Sequence, residues 1–205
     1  MRLNAVGEHW AVNTAAALLM ASQTGVSIED AAQTLSGYAP PPGRGVAEAI
    51  LLPDGGEAVL IDDAYNANPA SMRAALEGLA RRKGARRLVA LGEMLEIGAG
   101  AETAHEALAV DIAAAGADTA FLAGGLMQAL AQALPGTIRQ HWAVKADDLS
   151  TDVKNTLRDG DVILIKGSNA SGMGRLANEL REWSADTRRV MERGEECVAG
   201  VENDL

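Results

Sequence analysis

The sequence predicts an α/β fold: a Rossmann-like, mostly parallel sheet with helices on both faces, preceded by a short helical segment. Two observations lead to this prediction. Short apolar segments recur through residues 46–165, and segments with helical character separate most of them. Strands that alternate with helices form parallel sheets whose two faces are both covered by helices.

The first part of the chain predicts a helical hairpin. Residues 10–23 form an alanine-rich helix that ends before Gly25. Ser27, with Asp30 three residues later, has the spacing of an N-cap that opens a second short helix. The proline-rich segment 38–45 follows and is predicted to be a stiff linker at a domain boundary.

The remaining elements alternate. Two strands flank a turn-rich loop at residues 53–56 and predict a β-hairpin. The predicted strands are 46–52, 57–61, 87–91, 119–123, 137–142 and 162–165. The predicted helices are 69–83, 102–115, 126–133 and 147–157.

Composition excludes several classes of protein. The net charge of -10 over 205 residues argues against nucleic acid as a partner, because phosphate binding needs a basic surface. A single cysteine, Cys197, excludes an intramolecular disulfide. No signal peptide or membrane span is evident, so we expect a cytoplasmic protein with no membrane partner. We also expect a monomer, although nothing in the sequence establishes the oligomeric state.

The segment 61–72 predicts a binding site. It places two acids, a phenol and two asparagines between a strand and a helix, and Asn68 followed by a proline is a typical helix start. Open α/β sheets bind ligands at this edge, beside helix N-termini that favour anions. The alternative is a well-capped turn without a ligand.

This segment resembles the corresponding one of the Mur ligases, most closely the type that joins D-alanyl-D-alanine to UDP-N-acetylmuramoyl-tripeptide. Four further segments match in the expected order. They are Gly7-Glu8-His9 with Asn13, Pro42-Gly43-Arg44-Gly45, residues 91–98 and residues 165–171.

The resemblance implies a domain organisation. Residues 1–43 would be the C-terminal end of the central ATPase domain, residues 44–187 the complete C-terminal domain, and residues 188–205 a charged, poorly ordered tail. No Gly-x-x-x-x-Gly-Lys-Ser/Thr phosphate loop occurs in the sequence. We therefore expect no activity from the chain alone, and the sequence leaves open a fragment, a truncated gene model or half of a split enzyme.

The resemblance also implies a reaction. ATP, with Mg²⁺, phosphorylates the carboxylate of the UDP-linked tripeptide, and the amine of D-Ala-D-Ala then attacks the acyl phosphate. Positioning and charge neutralisation dominate such chemistry, so we assign neither a catalytic side chain nor a metal ligand. The missing N-terminal and central domains would hold most of the ATP, Mg²⁺ and UDP-tripeptide sites.

Four residues match ATP-contacting positions of the family. Arg44 would reach ATP when the C-terminal domain closes, or else it is a surface arginine in a loop. Asp63 would contact the ribose or lie near the phosphates. Asn13 and His9 would approach the adenine, although Trp10 stands where the family has an asparagine and His9 is equally expected to be structural.

Six residues match positions on the amine-substrate side. Lys166 and Ser168 belong to a turn that would hold the dipeptide carboxylate, and Asn68 has a helix cap as its alternative role. Many family members carry arginine at the position of Asn169, which is the third of these turn residues. The full set is Tyr65, Asn66, Asn68, Lys166, Ser168 and Asn169.

Two further groups favour structural roles. Glu93, Glu96 and His105 match no strong metal pattern, so we expect them to shape a substrate loop instead of forming a metal or acid–base cluster. The basic residues of segment 81–87 lie at a predicted helix end, where cations complement the helix dipole.

Two other functions remain open on the sequence. One is a related Mur or folylpolyglutamate-type ligase with another amine substrate, against which the segment 61–72 argues. The other is a non-catalytic Rossmann-like binding module, which would leave the polar loops unexplained.

Overall fold

A computed structural model describes residues 8–38 and 40–202, with side chains for 10–38 and 40–193. The strands are β1 (Val46–Leu51), β2 (Glu57–Asp63), β3 (Arg87–Gly92), β4 (Thr119–Ala123), β5 (Arg139–Ala143) and β6 (Val162–Lys166). The helices are α1 (Glu8–Gln23), α2 (Ile28–Ser36), α3 (Pro69–Ala80), α4 (Ala101–Glu106), α5 (Leu108–Ala114), α6 (Met127–Ala133), α7 (Ser150–Thr156) and α8 (Met173–Glu202). Short 3-10 turns occur at Ala146–Leu149 and Asn169–Ser171.

The strands form one sheet in the order β1-β2-β6-β3-β4-β5. The β1–β2 hairpin is antiparallel, and every other neighbouring pair is parallel. β6 therefore lies between two strands that precede it by a long stretch of chain. The predicted fold class, a mostly parallel sheet with helices on both faces, is confirmed.

Helices cover the sheet from both sides and form two cores. On one face α3 packs through Met72, Leu76 and Leu79 against strand residues such as Leu164. On the other face α8 packs against the sheet through Met173, Leu176, Ala177 and Leu180. Strands β3, β4 and β6 are buried almost throughout, as expected for strands covered twice.

Several element bounds differ from the sequence predictions. The helix expected over 102–115 is divided into α4 and α5 at Ala107. The helix expected to reach residue 83 ends at Ala80, because the N–H of Arg82 bonds to the carbonyl of Leu79, three residues back, and this tightens the last turn. The strand expected over 137–142 is Arg139–Ala143.

The two ends of the chain carry helices. Ser27 caps α2 by accepting a hydrogen bond from the N–H of Asp30, so the predicted cap is confirmed. The backbone of α8 stays helical to Glu202, well into the charged segment for which we expected little order. Among the described residues, no helix combines the length and apolar character needed to cross a bilayer.

Candidate functional site

The candidate site lies at the carboxyl edge of the sheet, where β2 and β6 end side by side. The chain leaves β2 towards α3 on one face of the sheet, and it leaves β6 towards α8 on the other face. Neighbouring parallel strands whose connections diverge in this way open a crevice at their carboxyl ends, and ligands bind in such crevices.

A cavity of about 620 Å³ opens at this crevice and continues along α3. Its polar lining includes Asn13, Arg44, Asp63, Tyr65, Asn66, Asn68, Ser71 and Lys166. Its apolar floor includes Ile61 and Leu164 from the sheet. Ala70, Ala74 and Gly78, spaced four apart on α3, line one wall, because small side chains leave room there.

Lys166 and Asp63 form an ion pair at the base of the rim. The ammonium Nζ donates to Asp63 Oδ2 at 2.6 Å, to the carbonyl of Asn66 at 3.0 Å and to the carbonyl of Asp63 at 3.4 Å. The Lys166 side chain is only 3% exposed, whereas that of Asp63 is 25% exposed. The lysine thus fixes the loop after β2 and offsets the charge of an acid that still faces the cavity.

Asp62 faces the opposite side of the sheet. Its Oδ2 accepts a hydrogen bond from Arg181 of α8 at 2.7 Å, and Arg181 also donates to Glu48 Oε1 at 2.6 Å. Burial would lower the pKa of Arg181, but the hydrogen bonds to Asp62 and Glu48 outweigh it and raise that pKa. Asp62 therefore ties the start of the loop to the fold and does not line the cavity.

Arg44 and Tyr65 meet at the rim. The guanidinium carbon of Arg44 lies 4.1 Å from the centroid of the Tyr65 ring. The N–H of Tyr65 donates to the carbonyl of Gly43 at 3.0 Å, so the linker and the loop after β2 are joined through their backbones as well.

Asn68 forms the predicted helix cap. Its Oδ1 accepts a hydrogen bond from the N–H of Ser71 at 2.9 Å, and the Ser71 hydroxyl in turn accepts one from the N–H of Asn68 at 3.0 Å. This reciprocal capping box fixes the start of α3 beside the cavity. The cap occupies the amide oxygen of Asn68, while its side chain still lines the rim.

A second pair of loops packs beside the cavity without lining it. Ser168 is buried, and its hydroxyl accepts a hydrogen bond from the N–H of Leu95 at 2.9 Å. Ser168 N–H donates to the carbonyl of Glu93 at 3.0 Å. Ser168 thus joins the turn after β6 to the loop after β3, while Asn169 is exposed next to it.

His105 holds that loop from within the core. The N–H of Met94 donates to His105 Nε2 at 2.8 Å, so Nδ1 carries the proton and donates to the carbonyl of Ala101 at 2.6 Å. Glu93 Oε1 accepts a hydrogen bond from the N–H of Leu126. Glu96 adopts a left-handed backbone, with φ of 64°. These contacts agree with the expected role in shaping a loop.

The basic cluster of residues 81–87 also makes contacts within the fold. Arg86 donates through two nitrogens to Asp161, and Arg87 donates to the carbonyl of Arg82. Arg81 pairs with Glu77 one turn earlier in α3. These bonds favour the structural interpretation of the cluster.

Most of the site residues proposed from the sequence converge on one cavity. Those that line it are Asn13, Arg44, Asp63, Tyr65, Asn66, Asn68 and Lys166. Ser168 and Asn169 lie on the neighbouring turn, and the side chain of His9 lies outside the described residues. Sequence reasoning missed Trp10, Ser71 and Arg82, which also line the cavity. The spacing of small residues along α3 was the available signal for the extended wall.

The described residues do not build a metal site. No group of three or more histidine, cysteine, aspartate or glutamate side chains comes together within the part of the chain that the structure describes. Asp63 is the one acid among the described residues that line the cavity, and Lys166 offsets its charge.

Comparison with known proteins identifies relatives. Residues 50–169 match the family model described as Mur ligase, glutamate ligase domain. The UDP-N-acetylmuramoyl-tripeptide–D-alanyl-D-alanine ligase of Mycobacterium tuberculosis strain H37Rv is 35% identical over 202 residues, which cover 88% of this chain and 39% of the relative. The ligase of the same name from Bacillus subtilis is 31% identical, with 86% of this chain and 39% of the relative covered.

Solved structures give the same result. A crystal structure of MurF from Acinetobacter baumannii matches with a TM-score of 0.75 and 29% identity, over 89% of this chain and 40% of that one. MurF from Thermotoga maritima, solved with ADP, matches in fold with a TM-score of 0.71 and 23% identity, over 90% of this chain and 40% of that one. The chain thus spans about 39% of the length of the curated relatives that it matches.

Proposed function

The chain belongs to the Mur ligase family, and from that membership and the cavity we propose that it supplies the C-terminal part of a D-alanyl-D-alanine-adding ligase. The reaction would use ATP to join D-Ala-D-Ala to UDP-N-acetylmuramoyl-tripeptide, a step of peptidoglycan precursor synthesis. The observation that carries the proposal is the convergence of Arg44, Asp63 and Lys166 on one cavity in a chain 35% identical to such ligases.

The proposed reaction has two steps, a phosphoryl transfer followed by an acyl transfer. The tripeptide carboxylate attacks the γ-phosphate of ATP, releasing ADP and forming an acyl phosphate. The amine of D-Ala-D-Ala then attacks the acyl carbon, and the C–O bond to phosphate breaks as the amide forms and the amine loses a proton. Charge spreads over the phosphoryl oxygens during the first transfer, so fixed cations and oriented donors lower its barrier.

We assign the nucleotide to the side of the cavity nearer the linker. Arg44 is exposed at the rim and permanently charged, which suits it to bind phosphate oxygens through two parallel N–H groups. Asn13 from α1 and the partly exposed Asp63 carboxylate line the same cavity and suit the adenine and the ribose hydroxyls. His9, which precedes Trp10 on α1, stays a sequence-based candidate for the adenine.

We assign the dipeptide to the side formed by the loop after β2 and the turn after β6. Asn66 and Asn68 present amides at the rim, and Tyr65 and Asn169 are exposed nearby. Lys166 and Ser168 are both buried and already bonded within the chain. They would therefore act mainly by fixing the two loops, and a dipeptide carboxylate would reach Lys166 only by exchange with one of its present acceptors.

The residues that the structure describes do not offer a fitting site for Mg²⁺. The cavity offers one acid among its described residues, and that acid is paired with Lys166. We therefore place the ion with the phosphates of ATP and derive no step from it. The domain division at residues 43 and 187, a monomeric state and a cytoplasmic location stay predictions.

Two measurements test the proposal. Titration of the purified chain with D-Ala-D-Ala, D-alanine and L-Ala-L-Ala, followed by the amide signals of Asn66 and Asn68 in NMR spectra, should show the tightest binding for D-Ala-D-Ala. Tighter binding of a single amino acid would instead support a related ligase with another amine substrate.

The second measurement is turnover. We expect no pentapeptide by mass spectrometry when the chain alone receives ATP, Mg²⁺, UDP-N-acetylmuramoyl-tripeptide and D-Ala-D-Ala, because no segment of the sequence matches a phosphate loop. Replacing the matching 39% of the Bacillus subtilis ligase with this chain should give product, and Arg44→Gln in that chimera should reduce it. Product from the chain alone would contradict the requirement for a phosphate loop.

A further inference from the structure

We propose that Tyr65 is a positioning residue, whose ring face holds the guanidinium of Arg44 at the rim of the cavity for contact with a phosphate group. This inference rests on the proposed function, which brings phosphate to Arg44. It adds this role to the place on the dipeptide side that the proposed function gives to Tyr65.

The first support is the stack itself. The guanidinium carbon of Arg44 lies 4.1 Å from the Tyr65 ring centroid, within the range of a cation–π contact. Tyr65 is 52% exposed and Arg44 is also exposed, so neither side chain is held by burial. An exposed arginine otherwise samples many rotamers, and a ring face restricts it to fewer.

The second support is the backbone on both sides of Arg44. Gly43 and Gly45 have φ values of +78° and +77°, a conformation that side chains other than glycine rarely adopt. Gly43 accepts a hydrogen bond from Tyr65 N–H, and Gly45 N–H donates to the carbonyl of Asp62 at 2.8 Å. A Cβ on Gly43 would lie 3.0 Å from the Tyr65 nitrogen, so the two backbones approach as closely as glycine allows.

The geometry points to the ring face of Tyr65, and not to its hydroxyl, as the part that holds Arg44. The guanidinium carbon lies over the ring, and a guanidinium whose face is covered by a ring keeps its N–H groups in its own plane, where they can bind phosphate oxygens. Arg44 and Tyr65 line the same cavity as Asp63 and Lys166. Phenylalanine would preserve this arrangement, and leucine, which has similar bulk but no ring, would not.

The stack can be measured without a ligand. In NMR spectra of the purified chain, the Arg44 side-chain protons should be shifted upfield by the Tyr65 ring. Tyr65→Phe should keep this shift and Tyr65→Leu should abolish it. Unshifted Arg44 protons in the unmodified chain would overturn the proposal.

The effect of the Arg44–Tyr65 contact on phosphate binding is measured by titration with ADP and with inorganic tripolyphosphate. We expect Tyr65→Phe to leave Kd unchanged, Tyr65→Leu to weaken binding about two- to five-fold, and Arg44→Gln to weaken it about ten-fold or more. In the Arg44→Gln background, Tyr65→Leu should cause no further loss, because Tyr65 acts through Arg44. Arg139→Gln, an exposed arginine on β5 at the far edge of the sheet, controls for the loss of one charge.

The ways of failing are distinct. Equal weakening by Tyr65→Phe and Tyr65→Leu would show that the hydroxyl contacts the ligand, and additive loss in the double variant would show direct contact by the ring. Either result overturns the positioning role while the proposed function stands. Phosphate binding that Arg44→Gln does not alter would contradict the proposed role of Arg44, and with it this inference.

Discussion

The two ends of β6 each carry an ion pair, and the pairs are built in opposite ways. At the amino end the acid is buried: Asp161 is 0% exposed, and Arg86, 35% exposed, donates to both of its oxygens. At the carboxyl end the base is buried: Lys166 is 3% exposed, and its partner Asp63 is 25% exposed beside the cavity.

The difference separates a pair that serves the fold from one that also faces a site. Asp161 accepts a further hydrogen bond from the N–H of Arg158, so donors within the chain surround its carboxylate. The hydrogen bond to Asp161 raises the pKa of Arg86, which keeps the arginine charged at any pH used for the protein. At the other end, the buried Lys166 holds a carboxylate where a ligand can reach it.

Arg86→Met should cause the largest loss of stability. It would leave the carboxylate of Asp161 buried without its cation, and removing one partner of a buried pair costs about 3–5 kcal/mol. Urea denaturation should show this as a lower midpoint. Arg81→Met, which breaks an exposed pair on α3, is the matched control. A loss below about 1 kcal/mol would mean that the buried Asp161 carboxylate does not depend on Arg86 as its counter-charge.

Asp63→Asn should have the next largest effect, of about 1–3 kcal/mol in the free energy of unfolding, because the acid that it removes is itself partly exposed. It leaves the Lys166 ammonium buried with two carbonyl acceptors but no counter-charge. Lys166→Met should cost less, because the Asp63 carboxylate is partly exposed and can be hydrated. At the amino end the order is reversed, since there the acid is the buried partner. Urea denaturation of Arg86→Met, Asp161→Asn, Asp63→Asn and Lys166→Met tests this. If removal of the acid were the more costly change at both ends of β6, or removal of the base at both ends, the comparison would fail.

Asn68→Ala should destabilise the protein by about 1 kcal/mol, because α3 loses its N-cap. Asn68→Asp should restore the cap. If Asn68→Asp also restores binding of D-Ala-D-Ala, Asn68 acts at this end of the sheet only as a cap. If stability returns and binding does not, its amide contacts the ligand.

Asp147→Asn should have the smallest effect, within about 0.5 kcal/mol. The pair of Asp147 with Arg175 is exposed on both sides, so water and salt screen it. Thermal melts at low and high salt check this. A loss as large as that of Asp63→Asn would mean that burial is not what distinguishes the pairs of β6.

Sequence reasoning was strongest where the signal is local. The cap at Asn68 followed by a proline, the cap at Ser27 and the β1–β2 hairpin depend on residues a few positions apart, and all three are confirmed. The helix expected over residues 102–115 is divided at Ala107, and no local sequence signal predicted this division.

For the candidate site, the sequence predicted which residues lie near the cavity better than it predicted which of them contact each other. The sequence placed Asp63 with the nucleotide and Lys166 with the dipeptide, whereas the structure joins them directly at 2.6 Å. Asp62 and Asp63 are neighbours in the chain, yet they lie on opposite sides of the sheet, as alternate residues of a strand do.

By itself the sequence determined the α/β class, the order of the strands and of most helices, and the polar segments that end β2 and follow β6, because apolar periodicity and capping are local properties. Only the tertiary structure decided that β6 inserts between β2 and β3, and this insertion brings Lys166 to Asp63 across 103 positions. It also decided which acid turns to α8 and which to the cavity. Such pairings depend on strand order and burial, which arise from packing of the whole chain and leave no trace in the spacing of neighbouring residues.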